Sequence, residues 1–359
     1  MKTTARAKVT IHDVAKHAGV GSMTVSRVLN QNVPVSDALR TKVMASVKAL
    51  NYSLNMAARS TRSGMGGVRI GVLYSNPSSS YLNEIMLGGL EQSSRLGCQL
   101  ILEKCAGFDS QKAAVQRLVA AGVDGVILPP PLCDSAATIN MLTKAGIPAL
   151  ALATGEPLPE VSAVRVDDFK GALAMTRYLI KLGHKKLGFI KGDPLHTPTA
   201  LRHEGFLAAL AEAGIPVNEA WIKTGLFTYR SGLEAGRALL ESHERPTAIF
   251  ASNDDMAAAV IAVAHGMHIS IPEDLSIAGF DDTPVATTIW PELTTIHQPI
   301  VAMGRTSVAT IFEQIKTLKS NHDAKPVHHL MKFTLVERGS TGPSPDRLGR
   351  GMLPGALPR

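Results

Sequence analysis

Two kinds of periodicity run along this chain, and one gives way to the other near residue 68. Thr10-Ile11-His12-Asp13 is a capping-box-like start for a first helix, and Gly19 stands where that helix must end and turn sharply. Ser22 to Asn30 predicts a second helix, with Val25, Val28 and Leu29 spaced i, i+3, i+4 on one buried face. Met23, Thr24, Ser26 and Arg27 then fall largely on the other faces. Ser36 caps a third helix whose apolar stripe is Leu39, Val43, Val47 and Leu50. From Val68 onward, apolar strands are expected at about 68–74, 98–104, 125–129, 148–153, 187–191, 247–251 and 275–280. Helix-length amphipathic stretches separate them, which is the βαβ signature of doubly wound parallel sheets, and the length fits two such lobes better than one.

The joints between these regions differ in composition. Residues 51–67 carry too little apolar surface to fold alone. Asn55 to Arg62 predicts a short helix, followed by the glycine-rich Ser63-Gly64-Met65-Gly66-Gly67, so the segment reads as a hinge that orders on binding. The end of the chain, Gly342 to Arg359, is rich in proline and glycine and is expected to be a disordered tail.

Charge sharpens the division. The 359 residues carry a net charge of +7. Residues 1–63 hold ten basic side chains against Asp13 and Asp37, which gives +8 and leaves −1 for the remainder. One basic module on a near-neutral body is the distribution expected when only the N-terminal part meets phosphate. Hydrophobic residues make up 45%, enough for a sizeable core. Cys98, Cys105 and Cys133 are odd in number and lack CxxC spacing, which argues against a disulfide framework or zinc site and for reduced, buried thiols. The N-terminus has no apolar signal region, and the longest apolar run, Met256 to Ala264, is too short to span a bilayer. A cytoplasmic protein without a membrane partner is therefore expected.

Candidate chemistry sits at strand ends. Tyr74-Ser75-Asn76, Gly192-Asp193, Ser252-Asn253-Asp254 and Asp281-Asp282 each follow a strand, where the ligand crevice of an open α/β sheet lies. They suit a small polar ligand, or each caps the next helix. Arg202 is either a bidentate grip on such a ligand or a solvated helix arginine; Phe227 either stacks on a ligand ring or fills core. Enzyme signatures are missing: there is no Walker A loop, GxSxG elbow or HExxH, and the glycine cluster at 64–67 precedes a strand where a dinucleotide fingerprint would follow one. Asp167-Asp168 and Asp281-Asp282 read better as caps than as a glycosidase pair. His328-His329 and His265 with His268 lack a third clustered ligand, so neither metal nor cofactor is expected.

Taken together, these residues resemble the lactose-repressor (LacI) family of bacterial transcription regulators, from about Val9 to Gly339. The resemblance rests on Asp13-Val14-Ala15, Ala18-Gly19-Val20 and Thr24-Val25-Ser26-Arg27-Val28-Leu29-Asn30, then on Leu50-Asn51-Tyr52, Gly183-His184, Arg202 with Gly205-Phe206, Asn253-Asp254-Asp255-Met256-Ala257, Gly279-Phe280-Asp281-Asp282 and Leu293-Thr294-Thr295-Ile296-His297-Gln298-Pro299. It implies an all-α helix-turn-helix DNA-binding domain over 1–50, a hinge over 51–67, and a two-lobed periplasmic-binding-protein-like sensor over 68–339. The lobes would comprise 68–165 with 300–326, and 166–299 with 327–339, leaving 340–359 as tail. It implies a homodimer on a palindromic operator in double-stranded DNA. Ser22, Met23 and Arg27 would read the major groove, and Thr24 and Ser26 would lie nearer the phosphates. Thr10, Asn30, Asn55, Ala58, Arg59, Thr61 and Arg62 complete the expected DNA set, with Arg59 and Arg62 supplying phosphate contacts. The effector positions fall on Ser75, Tyr81, Arg202, Phe227, Asn253, Asp281 and Gln298.

Several departures from the family pattern are visible. Gly21 stands where Ser or Thr commonly caps the recognition helix. Ala153 stands where several sugar-binding members carry Asp, and Thr61 where the hinge helix usually presents a minor-groove leucine. Asn76-Pro77-Ser78-Ser79-Ser80-Tyr81 carries Ser and Tyr where many members have paired Phe, which suits a more polar, larger ligand such as an oligosaccharide. The expected function is a ligand-responsive repressor of a carbohydrate-utilisation operon, with no enzymatic activity. The alternatives are a regulator whose corepressor is a nucleobase, nucleoside or phosphorylated metabolite, or a sugar-binding protein without a DNA role.

Overall fold

In the computed structural model of the chain, the described residues are 11–30, 35–50, 67–75, 78–105, 110–320 and 322–348. The chain divides into two compact units, the first ending at Gly66 and the second beginning at Gly67. The expected hinge helix at 55–62 lies outside the described residues.

The first unit contains α1 (Ile11–Ala18), α2 (Ser22–Asn30) and α3 (Asp37–Ala49). Gly19 takes a left-handed φ of 58°, and the Val20 amide donates to the Ala15 carbonyl at 3.0 Å. That conformation costs a residue without a Cβ nothing, so α1 can stop and α2 can start within three residues. Val14, Ala15, Ala18, Val25, Val28 and Val43 form a core drawn from all three helices. Small, β-branched side chains let three short helices approach closely, and tertiary packing holds what helices of this length cannot hold alone.

The second unit alternates strands and helices. Its elements are β1 (Arg69–Tyr74), α4 (Ser79–Leu96), β2 (Gln99–Lys104), α5 (Gln111–Ala120), β3 (Gly125–Leu128), α6 (Ala136–Lys144), β4 (Ala149–Leu152) and β5 (Ser162–Arg165). There follow α7 (Asp168–Lys181), β6 (Leu187–Lys191), α8 (Thr197–Glu212), β7 (Ile222–Thr224), α9 (Tyr229–Leu240), β8 (Ala248–Ala251), α10 (Asp254–Gly266), β9 (Ser276–Asp281), α11 (Val285–Thr288), β10 (Thr294–His297), α12 (Ile300–Lys319), β11 (His328–Leu330) and β12 (Thr334–Val336). Two six-stranded sheets result, ordered β11-β5-β4-β3-β1-β2 and β12-β10-β9-β8-β6-β7. All pairings are parallel except β12 against β10. β3, β4, β8 and β9 are buried along their whole length, and β3, β4 and β8 accordingly read as unbroken apolar runs. Each sheet carries a core on both faces.

The chain passes between the lobes three times: after β5, after β10 and between β11 and β12. The last crossing corrects the expected boundary. His328–Leu330 pairs in parallel with Ala163–Arg165 of the first sheet, so 327–331 belongs to the first lobe and only β12 returns to the second. Residues 340–348 correct the expected tail. Ser340 accepts from the Thr294 amide at 2.8 Å and donates to the Ile277 carbonyl at 2.6 Å. Buried His184 bonds the Gly342 carbonyl at 3.1 Å, and the Ser344 amide bonds the Leu182 carbonyl at 3.0 Å. Small polar side chains here satisfy backbone groups at the sheet's end, a role that proline-and-glycine composition conceals. Residues 349–359 lie outside the described part.

Candidate functional site

In the first unit, α2 buries Val25 and Val28. Met23 is 71% exposed and Arg27 is exposed, while Ser22, Thr24 and Ser26 are half-buried. Gly21 contributes only its carbonyl to the helix start, accepting from the amides of Thr24 at 2.9 Å and Val25 at 3.2 Å. Asn30 ends α2. Thr10, Asn55, Ala58, Arg59, Thr61 and Arg62 lie outside the described residues.

In the second unit, the carboxyl ends of strands from both sheets face one cavity of about 40 Å³. Its lining comprises Ser78 and Tyr81 after β1, Pro130 after β3, Ala153 after β4, His196 and Pro198 after β6, Arg202 on α8, Phe227 after β7, Asn253 after β8, and Asp281 at the end of β9. Such a crevice is where a doubly wound sheet offers converging polar ends and helix starts. The space admits a few waters and is smaller than a sugar ring requires.

Three lining residues hold unusual backbone: φ is 59° at Ala153, 57° at Phe227 and 120° at Asp281. Strain of this kind costs on the order of 1–3 kcal/mol and persists where the surroundings fix it, as they do around ligand sites. Phe227 shows how. Its ring lies directly on Gly192, where any Cβ would come within 1.9 Å, and stacks on His196 with centroids 5.3 Å apart. The Asn253 side chain ties Phe227 down by donating to its carbonyl at 3.1 Å, while capping α10 by accepting from the Met256 amide at 3.0 Å.

Charge is concentrated behind this wall. Arg202, 6% exposed, donates to Asp168 at 2.8 Å and to the Ser252 carbonyl, and lies 3.7 Å from Asp281. The guanidinium lies 3.7 Å over the Phe280 ring. Burial pushes the Asp168 carboxyl up, against the pull of Arg202. Burial likewise holds Asp281 well above the usual carboxylate range, with Arg202 opposing and Asp254 adding to the rise. Gln298 does not line the cavity; it donates to Asp281 at 2.7 Å and so sets that carboxylate's position. The Tyr81 hydroxyl is pushed up by burial and by Asp281. Among the described residues, His196 Nε2, Ser252 Oγ and Gln298 Oε1 are buried without a partner. Orphaned polar atoms beside a cavity are what a bound polar molecule would satisfy.

Asp254, by contrast, serves the fold. It accepts from the Thr295 hydroxyl at 2.6 Å and the Thr283 amide at 2.8 Å, and burial pushes it up to about 7. The folded chain therefore keeps this proton to a higher pH than the unfolded chain does. Its stabilising contribution is full below the unfolded carboxyl value of about 3.9, declines as pH rises and is gone above about pH 7. Asp254→Asn cannot titrate, so its stability deficit should be larger at pH 5 than at pH 8. Each unit of the shift is worth about 1.4 kcal/mol. Urea midpoints across that range check this, and parallel curves for the two proteins would contradict it.

Of the expected effector residues, Tyr81, Arg202, Phe227, Asn253 and Asp281 share the cavity, whereas Ser75 is half-buried at the end of β1 and is not among its lining residues. Ser78, Pro130, His196, Pro198 and the supporting Asp168 were not singled out as effector residues from sequence. Asp167 is the cap of α7, accepting from the Lys170 amide at 3.0 Å, and this frees the adjacent Asp168 to face Arg202. Arg202 is not a solvated helix arginine: it lines the cavity and is the buried counterion of Asp168 and Asp281.

Two family descriptions match the chain: "Bacterial regulatory proteins, lacI family" over residues 10–55 and "Periplasmic binding protein-like domain" over 176–341. The HTH-type transcriptional repressor PurR of Photobacterium profundum is 33% identical over 317 residues, covering 88% of this chain and 94% of that protein. The chain belongs to the LacI family. The repressor PurR of Photorhabdus laumondii is 34% identical over 94% of this chain and 98% of its own length. Among solved structures, a complex of the transcriptional regulator CelR with cellobiose aligns with a TM-score of 0.70 at 30% identity, over 93% of this chain and 100% of that one. The lac repressor dimer bound to operator and the anti-inducer ONPF aligns at 0.68 and 29%, over 93% and 99%. A LacI-family regulator from Enterococcus faecium with bound ribose aligns at 0.68 and 29%, over 77% and 99%. This LacI-family protein is accordingly a ligand-responsive, DNA-binding transcriptional repressor and not an enzyme. Among the described residues, no helix is long and apolar enough to cross a membrane.

Proposed function

We propose that this repressor controls a carbohydrate-utilisation operon in the cytoplasm and that its effector is a polyhydroxylated sugar held between the lobes of the second unit. The observation that carries this reading is the wall of the cavity. It offers a guanidinium, a carboxylate, an amide, a phenol and one aromatic face within a single cleft. Hydroxyl groups both donate and accept, so paired charged donors and acceptors suit them, and a ring face suits the apolar side of a sugar. Solved relatives that hold cellobiose and ribose support it. Two copies of the chain would bind a palindromic operator, each placing α2 in the major groove with Ser22, Met23 and Arg27 towards base edges. Thr24 and Ser26 would contact phosphates, with Thr10, Asn30, Asn55, Ala58, Arg59, Thr61 and Arg62 completing the contact.

A second reading, a nucleobase or nucleoside corepressor, is favoured by one feature: two planar rings, His196 and Phe227, stack on each other in the cavity lining. A thermal-shift panel on the full chain decides between them. It would set mono- and disaccharides against nucleobases and nucleosides. A true effector at 100 times its Kd stabilises the protein by about 2.7 kcal/mol, and operator affinity in a gel-shift titration should move with it by roughly 5- to 150-fold. A shift with nucleobases and with no sugar would replace the first reading by the second.

A further inference from the structure

The cavity of about 40 Å³ is small beside the roughly 150 Å³ that a benzene-sized guest takes, so a sugar-sized molecule needs the lobes to part. At the edge beside His196, what holds the lobes together is centred on Asp134. This residue ends the 3-10 turn Leu132–Asp134 of the first lobe. Its Oδ2 accepts from the Thr197 amide at 3.0 Å. Its Oδ1 accepts from the Thr197 hydroxyl at 3.0 Å and the Thr154 hydroxyl at 2.6 Å. The Thr197 hydroxyl accepts in turn from the Gly155 amide at 2.7 Å. Thr154 and Gly155 belong to the first lobe and Thr197 to the second, so three of the four bonds cross the cleft.

The chemistry of this contact is particular. Thr197 begins α8, and the N-cap residue of α8, His196, makes no side-chain capping bond. A carboxylate from the opposite lobe does that work, at the helix end where negative charge is favoured. The approach is close: a Cβ on Gly155 would come within 3.0 Å of the Pro198 nitrogen and 2.8 Å of a Leu201 methyl. Asp134 is only half-buried, so water can take over its bonds when the lobes separate. The Arg202–Asp168 pair differs on both counts, since it is buried and lies wholly within the second lobe. A second contact between the lobes is made by Ser78 of the first, which bonds Asp255 of the second.

We propose that Asp134 is a clasp that holds the two lobes shut and must release before the cleft opens. The clasp involves no ligand, so the proposal stands whichever effector the protein takes. Charge-assisted bonds made only in the closed arrangement shift the opening equilibrium directly, and losing them should raise the open population roughly tenfold.

Hydrogen exchange on the full, ligand-free chain tests this. In Asp134→Ala, amides around Thr197 should exchange about tenfold faster. The segments of the second contact, 78–82 and 251–256, should speed up with them, because lobes that part break both contacts. Protection in Ala248–Phe250 of β8 should be unchanged, which shows that the second lobe stays folded. Asp134→Asn keeps one acceptor and should fall between. Thr154→Val removes one hydroxyl without altering volume, should act in the same direction, and decides the matter if Asp134→Ala loses protection in β8. Faster exchange confined to Thr197 would reduce Asp134 to a local helix cap and overturn the proposal. So would unchanged exchange throughout.

Discussion

Arg202→Ala should cost this repressor about 3–5 kcal/mol of stability, the scale of removing one partner from a buried ion pair. Much of that cost comes from what is left behind. Without the guanidinium, Asp168 and Asp281 are two buried carboxyls with no cation, and the Ser252 carbonyl loses its donor. Both carboxyls already sit above the usual range by burial, with Arg202 pulling them down. Once that pull is gone, they should stay protonated to still higher pH. The sign of the pH dependence follows. Groups whose folded values are raised lose their stabilising contribution as pH rises, so the deficit of Arg202→Ala should be smaller near pH 5 than near pH 8. Adding Asp168→Asn should recover part of the loss at pH 8 and little at pH 5. Denaturant unfolding of the three proteins at both pH values measures this. An equal deficit at the two pH values would mean that the carboxyls do not feel Arg202, and the buried-counterion assignment would fall. Sugar binding should weaken with Arg202→Ala as well, but a binding measurement alone would not separate a lost contact from a loosened lobe.

The architecture was largely legible in the chain because burial imposes pattern. Strands covered on both faces read as apolar runs, and all seven expected strands are present to within a residue or two. The missed strands are β5, β7, β10, β11 and β12, each three or four residues long and carrying polar side chains. Ser162, Thr294 and Thr295 are fully buried, yet hydroxyls mark them as loop in the sequence. β11 and β12 lie only three residues apart and enter different sheets, which no local pattern announces. In the cleft, sequence found the residues whose position after a strand is itself the signal, as at Asn253 and Asp281. It failed where the signal is a partner distant along the chain. The sequence places Arg202 at the effector site but conceals its buried ion pairs, because Asp168 and Asp281 lie 34 and 79 positions away. Asp168 looked like a cap because its neighbour Asp167 is one. Asp134 gave no sign at all, since its significance depends on the other lobe bringing Thr197 to it.

A further substitution should separate two adjacent glycines by sign. α4 and α12 pack so closely that a Cβ on Gly88 would lie 1.8 Å from the Val301 carbonyl oxygen, and one on Gly304 would lie 2.2 Å from that of Ile85. These obstacles are backbone atoms, which cannot rotate away as a side chain could. Gly88→Ala therefore has to push the two helices apart, and overpacking of this kind costs about 3 kcal/mol at the upper end of its usual range. Gly89, one position on, faces the Leu100 and Val308 methyls at 3.5 and 3.6 Å, which is ordinary contact. There an alanine meets no obstacle and gains the helix preference of about 0.5–1 kcal/mol over glycine. The expected result is a protein destabilised by Gly88→Ala and stabilised by Gly89→Ala, read from urea midpoints of the full chain. The shift should also reach the cleft. α12 begins at Ile300, directly after Gln298-Pro299, and Gln298 holds the Asp281 carboxylate at 2.7 Å. A first lobe whose helices have separated should therefore bind its effector more weakly, although residue 88 lines no part of the cavity. Equal effects at the two glycines would mean that helix propensity and not interhelical distance governs this contact.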